Sequence, residues 1–329
     1  MNIGLNSSLL SQKPDDKRYK WDATHCVFIK DDVNALTTSD FSHCRDSLSG
    51  AGSTDLGDNY TVSFWIKPEW TIGTRVVDGV SKVHSHIEGH TAYAAYLFEI
   101  GTVGDNDQRI HMYNHPRSAS STWNRLVART MGDDKYNSDA IVFHSNGSSP
   151  GPSSNPNTNT VIGLGTNTGL DASYWSKTNP GSVNSEGFAH IAITRTDGLN
   201  DHNIYWNGSN QIHTAANYPT SDDDPDITDS VLNILRIGGQ ANHCGIDGSV
   251  TDATKTSLPA KYRDFAVWDS ALSASNVVEL YNSGSFYDIR TSSTAAVAAP
   301  SIYYPLNHNT ADYMRAGGDL RGDVVFAGL

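Results

Sequence analysis

Tyr60, Val62, Phe64 and Ile66 alternate with Thr61, Ser63, Trp65 and Lys67 along YTVSFWIKP, residues 60–68. A two-residue period puts the first four on one side of a strand and the second four on the other. Pro68 cannot donate to a ladder, so the strand is expected to end there. Short apolar or alternating runs recur at residues 24–33, 74–80, 96–103, 108–114, 125–130, 140–145, 187–196, 202–208, 234–239 and 261–269. Turn formers separate them. DGLND joins the runs at 187–196 and 202–208 into a hairpin, Asn207-Gly208 closes the second, and SNGSSPGPSSNPNTNT over residues 145–160 reads as an exposed loop. Many short strands with almost no helical periodicity predict an all-β sandwich or barrel. There is no internal repeat and no interior linker, so one domain with long loops is expected.

One stretch breaks the pattern. After the strand AKYRDFAVWD the chain reads SALSASNVVELYNSG, ending at Gly284. Ser273 can cap a helix start with its hydroxyl. Leu272 and Val277 have the spacing of a hydrophobic staple. Val277, Leu280 and Tyr281 form an apolar stripe, and Gly284 can close the helix in the left-handed region. The spacing predicts one short amphipathic helix over about residues 273–283, docked so as to plug an edge or end of the sandwich.

These segments, in this order, resemble the laminin-G-like, concanavalin A-like jelly-roll domains over about residues 24–284. YTVSFWIKP is similar to that family's early "aromatic-T-x-S-x-W-hydrophobic-K-P" strand. FAHIAITRT and IYWNG are similar to its "W-x-H-hydrophobic-A" strand and "Y-x-N-G" strand-turn. LRIGG and YRDFAVWDSALSASNVVELYN are similar to its "hydrophobic-x-I-G" strand and its ending "D-x-x-hydrophobic-W-x-x-A-L-S-x-x-E-hydrophobic". Phe188 stands where the family commonly has Trp, and residues 145–187 and 209–231 are long insertions. The resemblance implies an antiparallel jelly-roll β-sandwich over residues 21–290. A polar arm (1–20) precedes it, and a returning segment and tail (291–329) containing IYYPLN follow. Versions of the domain with such a tail occur in bacteriophage virion proteins.

Composition narrows the chemistry. Hydrophobic residues are 37% and charged residues 18% of the 329, with Asn, Ser, Thr, Asp and Gly filling the balance, as turn-rich all-β chains require. The formal charge of −13 repels phosphate backbones, and no glycine-rich phosphate cradle appears, so a nucleic-acid or nucleotide partner is not expected. No apolar run approaches the ~20 residues a membrane helix needs. The first twenty residues lack the basic flank and apolar centre of a secretion signal. Cys26, Cys44 and Cys244, an odd count, argue against a disulfide framework.

The five glutamates form no E-x-D-x-x-E or E-x-D-x-E pattern of the related hydrolases, so no catalytic residue is assigned and the chain is expected not to be an enzyme. His84 and His86 in VHSHIEGH would share a strand face as metal ligands do, but the same string is ordinary for a polar loop, and His90 adds no pattern. The resemblance implies a structural calcium ion held by Asp31, Asp32 and Asp264, whose hard oxygens suit that cation. Trp70, Trp123, Tyr136 and Trp175, in loops or at strand ends, are candidate platforms for a sugar ring. RGD at 321–323 is too short a string to carry meaning.

Together these readings predict a non-enzymatic structural protein of a bacteriophage virion, a decoration or other coat-associated component. It would act through contacts with capsid proteins in a multi-copy assembly, after synthesis in the host cytoplasm. The alternative is a carbohydrate-binding or host-receptor-binding module on a phage tail or fibre.

Overall fold

The computed structural model describes residues 25–29, 45–47, 56–68, 74–77, 80–83, 95–101, 109–116, 124–131, 138–144, 160–163, 183–196, 202–210, 232, 234–238, 260–307, 313–314 and 325–328. Their strands are β1 (His25–Ile29), β2 (Arg45–Ser47), β3 (Tyr60–Pro68), β4 (Thr74–Val77), β5 (Val80–Val83), β6 (Ala95–Gly101), β7 (Arg109–Pro116), β8 (Asn124–Met131), β9 (Ser138–His144), β10 (Thr160–Gly163), β11 (Ala189–Arg195), β12 (His202–Trp206), β13 (Ser209–Asn210), β14 (Ile234–Ile237), β15 (Ala260–Trp268), β16 (Ile302–Tyr304) and β17 (Val325–Gly328). The helices are α1 (Ala274–Tyr281) and the four-residue α2 (Ala295–Ala298). Among the described residues no helix is long and apolar enough to cross a membrane.

The strands form two large sheets. The first runs β13-β12-β11-β3-β15-β1-β17 and is antiparallel throughout. β16 shares one edge of β15 with β1: β1 pairs with Ala260–Tyr262 and β16 with Phe265–Val267. The second runs β10-β9-β8-β7-β6-β14-β2, antiparallel except that β10 lies parallel to β9. β4 and β5 make a separate two-stranded ribbon.

One apolar cluster spans the two sheets. Tyr60, Val62, Phe64 and Ile66 of β3 join it with Phe98 and Ile100 of β6, Ile110 and Met112 of β7, and Leu235 and Ile237 of β14. The Phe64 and Phe98 rings meet edge to face at 5.6 Å, and Phe265 stacks on Phe64 at 5.8 Å. A polar clip crosses the same interior. Tyr60 Oη, Thr130 Oγ1 and His202 Nε2 lie within 2.6–3.0 Å of one another, tying β3 and β12 to β8. This is the expected jelly-roll sandwich of antiparallel sheets.

The other face of β3 has its own partners. Trp65 packs against Phe188, Tyr281 and Phe286. Alongside, Ala192, Tyr205, Ala266 and Trp268 from β11, β12 and β15 form a second core with Leu272, Val277, Leu280, Ile289, Val297 and Tyr303. α1 therefore lies across the broad outer face of the first sheet, not at an edge or end as the sequence reading expected. The reason is compositional: the second face of the central strands carries Trp65, Ala192, Ala266 and Trp268 among its polar residues, and these large apolar groups must be covered as well. Of the strand tryptophans, Trp206 joins the sandwich core, whereas Trp65 and Trp268 lie under this cap.

The helix itself follows its sequence. Ser273 Oγ accepts from Asn276 N, and the Asn276 side chain accepts in return from Ser273 N, so the capping box is complete. Asn282, not Gly284, takes the left-handed cap position (φ 45°), and Gly284 (φ +88°) ends the following 3-10 turn. Asn207 and Gly208 (φ 50° and 76°) form the two-residue turn between β12 and β13, with Gly208 against the Tyr281 ring.

Five short strands have no sequence signal of their own: β2, β5, β10, β13 and β17. RDS and SN are poor strand formers, and they are extended because a neighbouring backbone pairs with them. If α1 is a packed part of the fold, Leu280→Ala will cost about 2–5 kcal/mol and Ser273→Ala about 1 kcal/mol in chemical denaturation. Losses of equal size for the two would mean that local helix propensity, not packing, holds the element.

Candidate functional site

Of the candidate sugar and metal residues read in sequence, only Asp264 lies among those described. Trp70, Trp123, Tyr136 and Trp175, the aspartates Asp31 and Asp32, the histidines His84, His86 and His90, the arm 1–20 and RGD 321–323 lie outside them.

Asp264 sits in a β-bulge where β15 gains an extra residue against β3. Its φ is 48°, a left-handed value that Asp tolerates better than most residues. Its N–H donates to the Pro305 carbonyl at 3.1 Å. Tyr303 Oη donates to its Oδ1 at 2.8 Å, and Arg263 Nε lies 3.4 Å from its Oδ2. The Arg263 guanidinium in turn lies 4.4 Å over the Phe286 ring. Burial, then the nearby Asp264 and Asp288 charges, push the Tyr303 phenol well above its usual range, so it stays a donor. This carboxylate is thus engaged by a phenol and a guanidinium, while its companions in the calcium reading, Asp31 and Asp32, lie outside the described residues. Among the described residues no group of three or more His, Cys, Asp or Glu side chains is placed to hold a metal ion.

A buried Ser–His pair lies beside Asp264. Ser63 Oγ and His190 Nε2 are 2.8 Å apart, and the His190 ring lies 5.0 Å from the Trp65 ring. His190 is 1% exposed. Loss of solvent lowers its pKa to about 3, so the ring is neutral at ordinary pH. Lying under the cap, the pair is placed to hold the sheet face together and not to meet a substrate.

The second sheet carries a different arrangement on the face turned away from the sandwich core. Register sets Glu99 of β6 between His111 of β7 and Arg236 of β14. Their strand neighbours Phe98, Ile100, Ile110, Met112, Leu235 and Ile237 all point into the core, so these three point the other way. All three are buried. In backbone register Arg129 pairs with His111 and Arg45 with Arg236. An acid flanked by an imidazole and a guanidinium offers planar acceptors and donors together. No sequence motif announced it. Each residue is a single polar position in a short apolar strand, and the row exists only once register is known.

No protein-family model matches the sequence, and no curated protein does. Among solved structures, the chain is similar to a native heptameric SAP-like pentraxin from Limulus polyphemus, with 14% identity and a TM-score of 0.38 over 88% of this chain and 96% of that one. It is similar to the Ruminococcus gnavus IT-sialidase CBM40 bound to α2,3 sialyllactose, with 11% identity and a TM-score of 0.34 over 80% and 95%. It is also similar to botulinum neurotoxin type C, whose cell entry depends on interaction with two ganglioside molecules, with 14% identity and a TM-score of 0.33 over 70% of this chain. The chain spans 37% of that toxin chain. The two stacked antiparallel sheets define the class: a concanavalin A-like jelly-roll sandwich. Identities this low leave ligand and activity to this chain's own residues.

The depressed His190 pKa has a measurable consequence. Between about 3 and the model-peptide value of 6.5 the unfolded chain binds a proton that the folded chain does not. His190 therefore contributes stability above that window, and the contribution is lost as pH falls through it, at up to about 1.4 kcal/mol per pH unit. His190→Gln is expected to flatten the fall of the denaturation midpoint across the window. An unchanged slope in the variant would assign the acid sensitivity to other groups.

Proposed function

We propose that this chain is a non-catalytic binding module that takes a carbohydrate on the outer face of its second sheet. The observation that carries the reading is the row of Glu99, His111 and Arg236, set side by side on the side of the second sheet that has no part in the sandwich core; all three are buried (0–4% exposed), so a sugar reaches them only when what covers them gives way. Sugar hydroxyls both donate and accept, and a carboxylate between an imidazole and a guanidinium matches that need. The buried Ser63–His190 pair supports a non-catalytic reading, since it lies beneath the cap. The sialyllactose-bound CBM40 and the ganglioside-dependent toxin are sugar binders with a similar fold, but the low TM-scores give them no weight here.

The coat-protein reading, with capsid partners and a place in a virion, rests on the resemblance of the strand motifs and tail, and no feature of the described fold adds to it. A glycan array probed with the full chain, with and without calcium, tests the proposal. Binding to a restricted set of glycans is expected. Arg236→Met is expected to weaken it about 10- to 100-fold, the effect of losing one charged hydrogen-bonding group, while the fold persists by circular dichroism. An array without signal in either condition would overturn the reading.

A further inference from the structure

Ser63, Trp65, His190, Asp264, Ala266, Trp268, Leu280, Tyr287 and Ile289 surround a cavity of about 10 Å³ between the first sheet and its cap. That is the space of one water molecule, which needs about 10–15 Å³ on the same measure. Three polar atoms of its wall are buried without a protein hydrogen-bond partner: His190 Nδ1, Trp268 Nε1 and Tyr287 Oη. They come from three separate elements, β11, β15 and the segment after α1. Such atoms are rare in folded proteins, because each forfeits its solvation without replacement.

We infer that this cavity is a specific binding site for a single water molecule, which hydrogen-bonds sheet to cap. The chemistry of the wall selects that ligand. Trp268 Nε1–H can only donate, so the occupant must accept. A bare cation cannot accept and is excluded. An anion would face the Asp264 carboxylate in the same wall and is disfavoured. Tyr287 can both donate and accept. His190 Nδ1 takes whichever role its bond to Ser63 leaves: acceptor if Nε2–H donates to Ser63 Oγ, donor if the serine hydroxyl donates to Nε2. A neutral molecule of one heavy atom that accepts from the indole and serves the other two in either tautomer is water. The bound water makes the Trp268–His190–Tyr287 junction a closed hydrogen-bonded unit, so the cap is keyed to the sheet by polar geometry as well as by apolar area.

A high-resolution crystal structure of the full chain, together with oxygen-17 relaxation dispersion in solution, tests this. One ordered peak is expected at about 2.7–3.2 Å from both Trp268 Nε1 and His190 Nδ1. The dispersion is expected to contain a long-lived water whose contribution disappears in Trp268→Phe, which keeps an aromatic ring but removes the donor. If that variant does not fold, the crystal structure of the unaltered chain decides alone. An empty cavity, a wall closed by direct bonds between these side chains, or a peak with metal-like distances and anomalous scattering would each overturn the inference.

Discussion

A sheet that presents large apolar side chains on both faces cannot rest against one partner. β3 and β15 are such strands: one side of each carries Tyr60, Val62, Phe64, Ile66, Tyr262, Phe265 and Val267, and the other carries Trp65, Ala266 and Trp268. The second sheet covers the first side. The other would expose two tryptophans to water, at a cost of about 1.5–3 kcal/mol for each large side chain left uncovered. The C-terminal part of the chain supplies the missing layer, so the domain is a three-layer object over its first sheet. The helix, the bulge and the returning strand all serve that requirement.

The bulge at Asp264 shows how the layers are joined. By inserting a residue, β15 turns Arg263 and Asp264 toward the cap without losing the inward register of Tyr262 and Phe265. Tyr303 reaches back from β16 to the Asp264 carboxylate, and Asn184, before β11, donates to the Gly284 carbonyl at the end of the helix turn. Asn207 receives the His190 N–H on its side chain while its own N–H returns to the His190 carbonyl. On the second sheet Glu99, His111 and Arg236 stand in register, buried on the side away from the sandwich core.

Much of this was legible in the order of residues. The alternation in YTVSFWIKP assigned both faces of β3 correctly, and the Ser273 cap, the Leu272 and Val277 staple positions and the Asn207-Gly208 turn are all present. The motifs that carry the family resemblance now have a shared physical meaning. Trp65, His190, Asp264 and Trp268 line the cavity beneath the cap, and Asn207 bonds the His190 backbone, so together they form the seat for the helix. The helix lies on a face and not at the expected edge or end, because sequence shows that strands are two-faced but not which layer answers each face. The polar row was invisible for a related reason. YLFEIG, RIHMYN and ILRI each read as a buried strand with one polar exception, and only strand pairing puts the exceptions beside one another.

The central claim is that the cap and the first sheet form one cooperative unit. Native-state hydrogen exchange in low denaturant reads this directly. The account predicts that the amides of α1 and those of β15 are released by the same opening, with the same free energy and the same denaturant dependence. Exchange from α1 through a low-energy local opening, while β15 remains protected, would contradict it.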